Sequence, residues 1–321
     1  MSSVTPKYPD YAWLDGRIAS GRELDVSLFT HTLHYGLGVF EGIRCYRQSD
    51  GTSAVFRLQE HVRRLFESAK LCLMEIPYTE SEIIDACHEV IRVNNMPEAY
   101  LRPLAFYGDG AMGLGAINKV RVAVATWVWG AYLGDQGIKT GIRAKVSSFS
   151  RMPIGGFLTQ GKIIGQYVNS ILAKREAVLA GYDEAVLLNA QGHVAEGSGE
   201  NIFIVRGREI VTPPLSVGIL GGITRDTLIR IARDRGYTVT EAVFSRDSLY
   251  LADEVFFTGT AAEVTPLREV DDRKIGRGTA GPVTQDLQKA FFRAVRGEDA
   301  AYREWLSPVD FKVKQVAARG R

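Results

Sequence analysis

The sequence predicts an α+β protein of two domains. The chain has 321 residues, which is long for one domain. Its strand-like and helix-like segments alternate without the regular rhythm of a doubly wound sheet. A glycine-rich stretch without periodicity occupies residues 130–141. We therefore predict a small N-terminal α/β domain over residues 1–129, a connecting loop over residues 130–141 and a larger C-terminal domain over residues 142–321.

Turn and capping residues delimit the predicted elements of the N-terminal part. Asp15-Gly16 predicts a hairpin, and residues 39–47 and 54–58 are expected to be strands joined by a turn at residues 49–51. The apolar spacing in residues 59–73 predicts a helix. Thr79 and Glu82 form a capping box for a second helix through residue 93. Residues 99–107 and 120–129 are predicted to be strands.

The C-terminal part is expected to begin with a strand at residues 143–148 and a helix at 163–179 that stops at Gly181. Two hairpins should follow, one turning near Gly192 and one at residues 206–207. A helix over residues 225–235 should end at Gly236, and Pro282 should lie in the first turn of a last helix. The basic tail after residue 308 has little apolar periodicity, so we expect it to be loosely held.

The composition argues against several classes of protein. The formal net charge is only +2, which offers no electrostatic footprint for nucleic acid or an anionic membrane. No apolar run has the length of a membrane span, and the N-terminus lacks the apolar core of a signal peptide. The three cysteines match no metal spacing and are expected to be reduced thiols in a cytoplasmic protein.

Three apparent motifs do not predict a function. Residues 108–113 match G-x-G-x-x-G, but a β-branched run follows where a dinucleotide fold needs a helix. His31 and His34 lack a third metal ligand, so no metal site is predicted. The run from Glu196 to Gly199 lacks the outer glycines of a hydrolase elbow. We interpret the first as a loop between strands and the histidines as packing residues.

Several weak signals are consistent with a carbonyl cofactor that carries a phosphate. Lys162 is the only charged residue between residues 152 and 165, as suits a shielded Schiff-base lysine but also a surface lysine. Residues 221–224 open directly into a helix, which suits a phosphate or an ordinary cap. The small-residue turn at 258–263 is a second possible anion site. Glu196 and Glu200 are both candidates for a carboxylate beside a pyridine nitrogen.

Taken in order, these segments resemble the branched-chain aminotransferases, which are pyridoxal 5′-phosphate (PLP) enzymes of fold type IV, the aminodeoxychorismate-lyase and D-amino-acid-transaminase group. The resemblance covers residues 11–305. The segments that carry it are residues 34–44, 100–103, 162–170, 195–201, 222–225 and 248–263. It implies a larger C-terminal domain built as a pseudo-barrel. The implied activity is transfer of the α-amino group of L-leucine, L-isoleucine or L-valine to 2-oxoglutarate, and the reverse.

The resemblance also implies roles for individual residues. Lys162 would be the catalytic residue, forming the Schiff base with PLP and moving the α-proton. The other cofactor-binding residues would be Tyr167 at the phenolic oxygen, Glu196 at the pyridine nitrogen, Leu220 at the ring face, and Arg64, Ile223, Thr224 and Thr260 at the phosphate. The substrate-binding residues would be Tyr35, Phe40, Arg44, Tyr100, Arg102, Trp129, Tyr132, Thr260, Ala261 and Ala262.

The family further implies small-molecule partners, amino acids and 2-oxo acids, together with self-association. Residues of a neighbouring subunit line the pocket in this family, so a homodimer is the minimum expected unit and a hexamer is compatible with it. One stretch, residues 152–161, departs from the family pattern. A D-amino-acid transaminase, an (R)-amine transaminase or a lyase on the same fold is the alternative, against which the Tyr100 and Arg102 pair and residues 40–44 argue.

Overall fold

The computed structural model describes residues 8–130 and 132–312. The chain divides into two compact units, the first made of the described parts of Met1–Trp129 and Ala294–Arg321 and the second of Gly130–Arg293. The predicted C-terminal domain ran to residue 321, whereas the residues from Ala294 onward group with the first unit. The reason is a strand near the C-terminus that pairs with a strand of the N-terminal sheet.

The elements before residue 130 are β1 Tyr11–Leu14, β2 Arg17–Ser20, α1 His31–Tyr35, β3 Gly38–Phe40, β4 Ile43–Arg47, β5 Ser53–Phe56, α2 Leu58–Leu71, α3 Glu80–Val93, β6 Ala99–Tyr107 and β7 Val120–Trp127. A 3₁₀ turn lies at Gly21–Leu24. The capping box predicted for α3 is confirmed, since Thr79 Oγ1 accepts a hydrogen bond from the Glu82 N–H and the Glu82 side chain accepts one from the Thr79 N–H.

The elements after residue 130 are α4 Asp135–Thr140, β8 Ile142–Val146, α5 Tyr167–Leu179, β9 Glu184–Leu188, β10 Val194–Gly197, β11 Asn201–Arg206, β12 Glu209–Thr212, α6 Ile223–Asp234, β13 Thr238–Glu241, α7 Arg246–Tyr250, β14 Glu254–Gly259, β15 Glu263–Val270, β16 Arg273–Lys274, α8 Pro282–Val295 and β17 Leu306–Pro308. Short 3₁₀ segments lie at Ile164–Gln166, Leu215–Val217 and Ala300–Trp305. Among the described residues, no helix has the length and apolar character needed to cross a membrane.

The first unit is built on one sheet with the strand order β17-β5-β4-β6-β7-β1-β2, and β3 pairs with β6. Neighbouring strands of this sheet run antiparallel, including β6 and β7, which pair over eight residues. Helices α2 and α3 pack against each other and bury Val62, Leu65, Ile83 and Val90. The apolar spacing that predicted these two helices therefore marks their buried faces.

The second unit contains a sheet that closes on itself. Its strand order is β10-β9-β8-β15-β14-β11-β12-β13, and β10 pairs with β11 as well as with β9. Six strands thus form a ring, and β12 and β13 extend it. The pair that closes the ring is Glu196 opposite Asn201. The predicted α+β class with a pseudo-barrel is confirmed.

Three predicted element boundaries are wrong for identifiable reasons. The strand predicted over residues 39–47 is interrupted at Glu41-Gly42, because the Glu41 side chain is completely buried in an ion-pair cluster. The strand predicted to reach residue 58 ends at Phe56, since Arg57 has a positive φ of 51° and α2 begins directly after it. The predicted connecting loop at 130–141 contains the short helix α4.

The start of α8 depends on a buried carboxylate. Pro282 is the first residue of this helix, as predicted. The Glu254 carboxylate accepts hydrogen bonds from the N–H groups of Val283 at 2.9 Å and Thr284 at 2.7 Å. These are first-turn donors that have no partner within the helix. A Cβ at Gly281 would overlap the Glu254 carboxyl group, so this position requires glycine.

We expect Glu254→Ala to lower the free energy of unfolding by about 1–2 kcal/mol, the usual cost of losing a helix cap. The measurement is urea denaturation followed by circular dichroism. The matched control is Glu67→Ala, because Glu67 is an exposed residue of α2. Equal stabilities for the two variants would contradict the capping role of Glu254.

Candidate active site

Lys162 lies between β8 and α5 with its amine directed to a phenol. Its flanking residues Gly161 and Ile163 are buried, while Lys162 itself is half-buried. The Nζ atom donates a hydrogen bond to Tyr167 Oη at 2.7 Å. Tyr167 is the first residue of α5, so the start of that helix fixes the phenol beside the amine. The structure therefore brings together two residues that the sequence analysis assigned to one site.

Glu196 lies at the end of β10 and is 6% exposed. Its Oε1 atom is 2.8 Å from Arg151 Nε. Its Oε2 atom accepts hydrogen bonds from Asn201 Nδ2 and from the Leu220 N–H, both at 3.1 Å. Burial raises the pKa of the Glu196 carboxyl, and Arg151, followed by the Leu220 N–H and the Lys162 charge, opposes that rise. Glu196 is thus a buried acceptor beside Leu220.

Glu184 at the start of β9 and Glu200 in the turn after β10 form a second group of buried carboxylates. Glu184 is completely buried, and it accepts hydrogen bonds from Lys174 Nζ and Ser198 Oγ, both at 2.6 Å. Glu200 accepts one from the Gly199 N–H at 3.0 Å. Burial, with the neighbouring charge of Glu184 second, raises the pKa of Glu200 to about 8. This favours Glu196 over Glu200 as the charged partner of a pyridine nitrogen.

Backbone donors at the N-terminus of α6 suit a phosphate group. Gly222 is the N-cap residue, and no side chain of the described residues caps this end. The first-turn N–H groups, which include those of Ile223 and Thr224, lack acceptors within the helix. A Cβ at Gly222 would overlap the Asn201 side chain, which donates a hydrogen bond to Glu196. Glycine at this position therefore lets the start of α6 lie beside Asn201, which contacts the buried Glu196 carboxylate.

The turn between β14 and β15 holds the remaining predicted residues of this unit. Thr260 and Ala261 are half-buried, and Ala262 is buried. Just before them, Thr258 Oγ1 is buried without a hydrogen-bond partner among the described residues. A buried hydroxyl of this kind costs free energy unless a ligand or water meets it. Together with the amine of Lys162, the carboxylate of Glu196 and the helix start, this donor set fits a phosphorylated pyridine aldehyde.

Arg64 lies in the first unit, where Glu41 holds it. Its Nε and Nη2 atoms donate to the two oxygens of Glu41 at 2.6 and 2.9 Å. His61 Nδ1 lies 2.6 Å from the same carboxylate. Burial alone would raise the pKa of Glu41, but the charges of Arg64 and His61 hold it well below its usual range. This bidentate pair fixes the orientation of the guanidinium group.

Arg102 is surrounded by aromatic rings. Its Cζ atom lies 4.7 Å from the Phe40 ring centroid, 5.3 Å from that of Trp127 and 5.5 Å from that of Tyr100. Its Nε atom is buried without a hydrogen-bond partner among the described residues. A desolvated guanidinium group with an unused donor is a suitable partner for a carboxylate.

The other predicted substrate residues fall in two places. Trp129 packs edge-on against Tyr100 with centroids 4.6 Å apart, and its carbonyl accepts a hydrogen bond from Arg44 Nη1 at 3.2 Å. Tyr35 ends α1, with its ring centroid 4.5 Å from that of His31. Tyr132 lies in the second unit, where Lys174 Nζ is 5.2 Å from its ring centroid.

Two of the rejected motifs are a loop and a pair of histidines that contact backbone carbonyls. Residues 108–113 lie in the loop between β6 and β7, and a strand follows them. His31 Nε2 contacts the Gly113 carbonyl at 2.9 Å, and His34 Nε2 contacts that of Leu28 at 2.8 Å. The described residues contain no cluster of three or more side chains suited to a metal ion.

Sequence reasoning missed Arg151, Asn201 and Trp127. Arg151 and Asn201 contact Glu196, and Trp127 packs against Arg102. Asn201 belongs to a segment already singled out, and its place opposite Glu196 across the hairpin was a usable signal. Arg151 is distant from Glu196 along the chain, so no local pattern indicated their contact.

Comparison with known proteins gives a consistent result. The model of the family "Amino-transferase class IV" matches residues 38–270. The branched-chain-amino-acid aminotransferase of Pseudomonas aeruginosa is 50% identical over 298 residues, which are 92% of this chain and 96% of that protein.

Two solved structures extend the similarity to the fold. The crystal structure of the Escherichia coli branched-chain amino acid aminotransferase has a TM-score of 0.92 and 44% identity, over 94% of this chain and 100% of that one. The branched-chain amino acid aminotransferase of Thermobaculum terrenum, in its PLP-bound holo form, has a TM-score of 0.89 and 36% identity, over 94% of this chain and 99% of that one.

The raised pKa of Glu200 predicts a pH-dependent stability. From about pH 4.5 to about pH 8 the folded state retains a proton that the unfolded state has released. The free energy of unfolding should therefore fall as the pH rises through this range, and Glu200 should add no further change above it. Glu200→Gln should be more stable than the parent at about pH 8, by about 1 kcal/mol or more, and closer to it near pH 4.5. Thermal or urea unfolding at both pH values measures this.

The matched control for Glu200 is Glu209→Gln, since Glu209 is exposed on β12. It should keep the pH dependence of the parent. A stability difference between Glu200→Gln and the parent that is the same at both pH values would contradict the assignment.

Proposed function

This chain belongs to the class IV aminotransferases and, within them, to the branched-chain-amino-acid aminotransferases, and from this premise we propose that it transfers the α-amino group of L-leucine, L-isoleucine or L-valine to 2-oxoglutarate, and the reverse. The observation that carries the proposal is the Lys162 amine, 2.7 Å from the Tyr167 phenol, in the same unit as a buried carboxylate and an uncapped helix start.

Cofactor-binding residues are proposed in the second unit. Lys162 carries PLP, which when bound supplies a carbonyl for the amino group and a ring that accepts electrons. Glu196 partners the pyridine nitrogen, Tyr167 donates to the phenolic oxygen, and Leu220 covers a ring face. Thr260 and the N–H groups of Ile223 and Thr224 hold the phosphate. This donor set suits an anion, because it combines a hydroxyl group with a helix N-terminus.

Lys162 also moves the substrate's α-proton. Its Nζ atom has a partner in Tyr167 Oη, and this hydrogen bond orients the amine. With PLP bound, the free amine of Lys162 would act as the base that removes the α-proton and then returns it.

We propose that Arg102 and Tyr100 bind a substrate carboxylate. The unpaired Nε of Arg102 supports this assignment, because a carboxylate would satisfy it. In the second unit, the N–H groups of Thr260, Ala261 and Ala262 are proposed as carboxylate donors. Phe40, Trp129 and Tyr35 provide apolar surface for a leucine-like side chain. Arg44 supplies the countercharge when the side chain is that of glutamate, because Arg102 is already engaged by the other carboxylate.

The proposed working unit is a homodimer, and further assembly to a hexamer is compatible with it. Large apolar side chains in the first unit are exposed, among them Leu28 at 81%, Leu114 at 91% and Ile117 at 89%. Exposed apolar surface of this kind is typical of an interface between subunits. Tyr35, on the short helix that follows Leu28, would then be offered to the neighbouring subunit's pocket.

An absorption spectrum tests the function directly. We expect a yellow protein whose visible band is replaced by a near-ultraviolet band on addition of L-leucine and returns with 2-oxoglutarate. A protein that responds only to D-alanine or an (R)-amine would keep the fold and cofactor but replace the specificity. A colourless protein that PLP does not reconstitute would refute the proposal.

Lys162→Ala should abolish the visible band and turnover while the protein remains folded. The physical reason is that no other amine stands at that position to bond the cofactor or move the proton. Circular dichroism and thermal unfolding check the fold, and Lys119→Ala, at an exposed lysine, is the control. Retained turnover in Lys162→Ala would exclude Lys162 as the base.

Glu196→Gln should retain PLP but slow transamination about 100-fold, equivalent to about 2.7 kcal/mol of barrier. A neutral amide stabilises a protonated pyridine nitrogen less well than a carboxylate does, and the ring becomes a weaker electron acceptor. Single-turnover kinetics with L-leucine measures the effect. An unchanged rate would remove Glu196 from the pyridine nitrogen.

A further inference from the structure

Arg151 is a buried arginine that the proposed reaction does not use directly. It follows β8 and is 7% exposed. Its N–H donates to the Leu188 carbonyl at 2.7 Å, which ties its backbone to the end of β9. Its Nε atom lies 2.8 Å from Glu196 Oε1. Arg151 is therefore a buried cation in contact with Glu196, the carboxylate proposed to bind the pyridine nitrogen, so it can influence the charge and the orientation of that carboxylate.

The surroundings of Arg151 restrict its side chain to one position. Nε also donates to the Gly218 carbonyl at 2.9 Å, and Nη2 lies 3.5 Å from the Thr159 carbonyl. Gly218 has a φ of +92°, and a Cβ there would lie 3.3 Å from the Met152 carbonyl oxygen. Thr159 belongs to the stretch, residues 152–161, that departs from the family pattern. Arg151 therefore connects that stretch and the Gly218 turn to Glu196.

The charge of Glu196 depends on few groups. Burial raises the pKa of its carboxyl, and the opposing charges are Arg151, then Lys162 and Arg225, with Glu200 as the nearby acid. Arg225 is already engaged, since its Nη2 atom contacts Glu241 at 2.7 Å and the Pro213 carbonyl at 2.9 Å. Lys162 is used by the cofactor in the proposed function. Arg151 is thus the cation in direct contact with Glu196.

We propose that Arg151 is a positioning residue that keeps Glu196 ionised and oriented, so that a protonated pyridine nitrogen has a charged partner. This inference rests on the proposed function, because it assigns Glu196 to the cofactor ring. Removing the Arg151 charge would leave a buried carboxylate without its cation, and such a group takes up a proton instead of remaining charged. A neutral Glu196 no longer stabilises positive charge on the ring.

The test uses Arg151→Met, Glu196→Gln and the double variant Arg151→Met/Glu196→Gln, with the exposed Arg175→Met on α5 as the matched control. Calorimetry gives the Kd for pyridoxamine 5′-phosphate between about pH 6 and about pH 8. Arg151→Met should bind about 10-fold more weakly near neutral pH and recover as the pH rises, because Glu196 then ionises. The parent and Arg175→Met should show a smaller pH dependence.

The double variant separates positioning from a purely structural role. If Arg151 acts through Glu196, its loss should change Kd by less than about 2-fold once Glu196 is glutamine. Equal effects of Arg151→Met in both backgrounds would overturn the proposal, as would an unchanged Kd in the single variant. Should Arg151→Met not fold, Arg151→Gln takes its place, because it removes the charge but keeps a side-chain donor. Weaker binding that disappears in the Glu196→Gln background supports the proposal, and an unchanged Kd overturns it.

Infrared spectroscopy gives a readout that does not depend on the cofactor. Protonated Glu200 contributes a carboxylic-acid carbonyl band to every variant. Arg151→Met should show an additional band of this kind that the parent and the double variant lack, and its absence from the folded single variant would overturn the inference. If the parent itself fails to bind pyridoxamine 5′-phosphate, the proposed function fails, while the infrared comparison still decides whether Arg151 controls the charge of Glu196.

Discussion

A carboxylate removed from water stays charged only when other groups replace the hydrogen bonds and countercharge that water supplied. Glu196 meets this requirement through Arg151, Asn201 and the Leu220 N–H. Two features of the second unit bring these groups together. Pairing between β10 and β11 closes the ring and sets Asn201 opposite Glu196. Gly222 leaves space for the Asn201 side chain and also starts the helix proposed to bind the phosphate.

The first unit uses the same physical arrangement for a different purpose. Glu41 is completely buried and paired with both Arg64 and His61. Here the carboxylate orients the arginine, whereas at Glu196 the arginine supports the carboxylate. Arg102 differs from both, because aromatic rings surround it and its Nε lacks a partner in the described structure. The paired arginines are thus held by the protein, whereas Arg102 has an Nε donor without a partner in the described structure, as suits the carboxylate that it is proposed to bind.

Predictions that depended on neighbouring residues were the most accurate. The capping box at Thr79, the helix start at Pro282 and the strand after residues 108–113 all agree with the structure. Each follows from turn, cap or periodicity chemistry within a few positions. The errors came where distant contacts override local preference. The break at Glu41-Gly42 reflects an ion pair with α2, and the positive φ of Arg57 precedes that helix.

Local sequence signals and the family resemblance were therefore sufficient to predict the fold class, the helices and the segments that carry Lys162 and Glu196. Hydrophobic periodicity, helix caps and glycine turns each depend on residues that are close together in the sequence. Arg151 is different: its contact with Glu196 joins positions forty-five residues apart and exists only because the closed ring of strands brings them together. The placement of the C-terminal strand β17 against β5 has the same origin. Such contacts depend on backbone pairing between strands that are distant in the sequence. No short sequence pattern shows which strand a given strand will pair with.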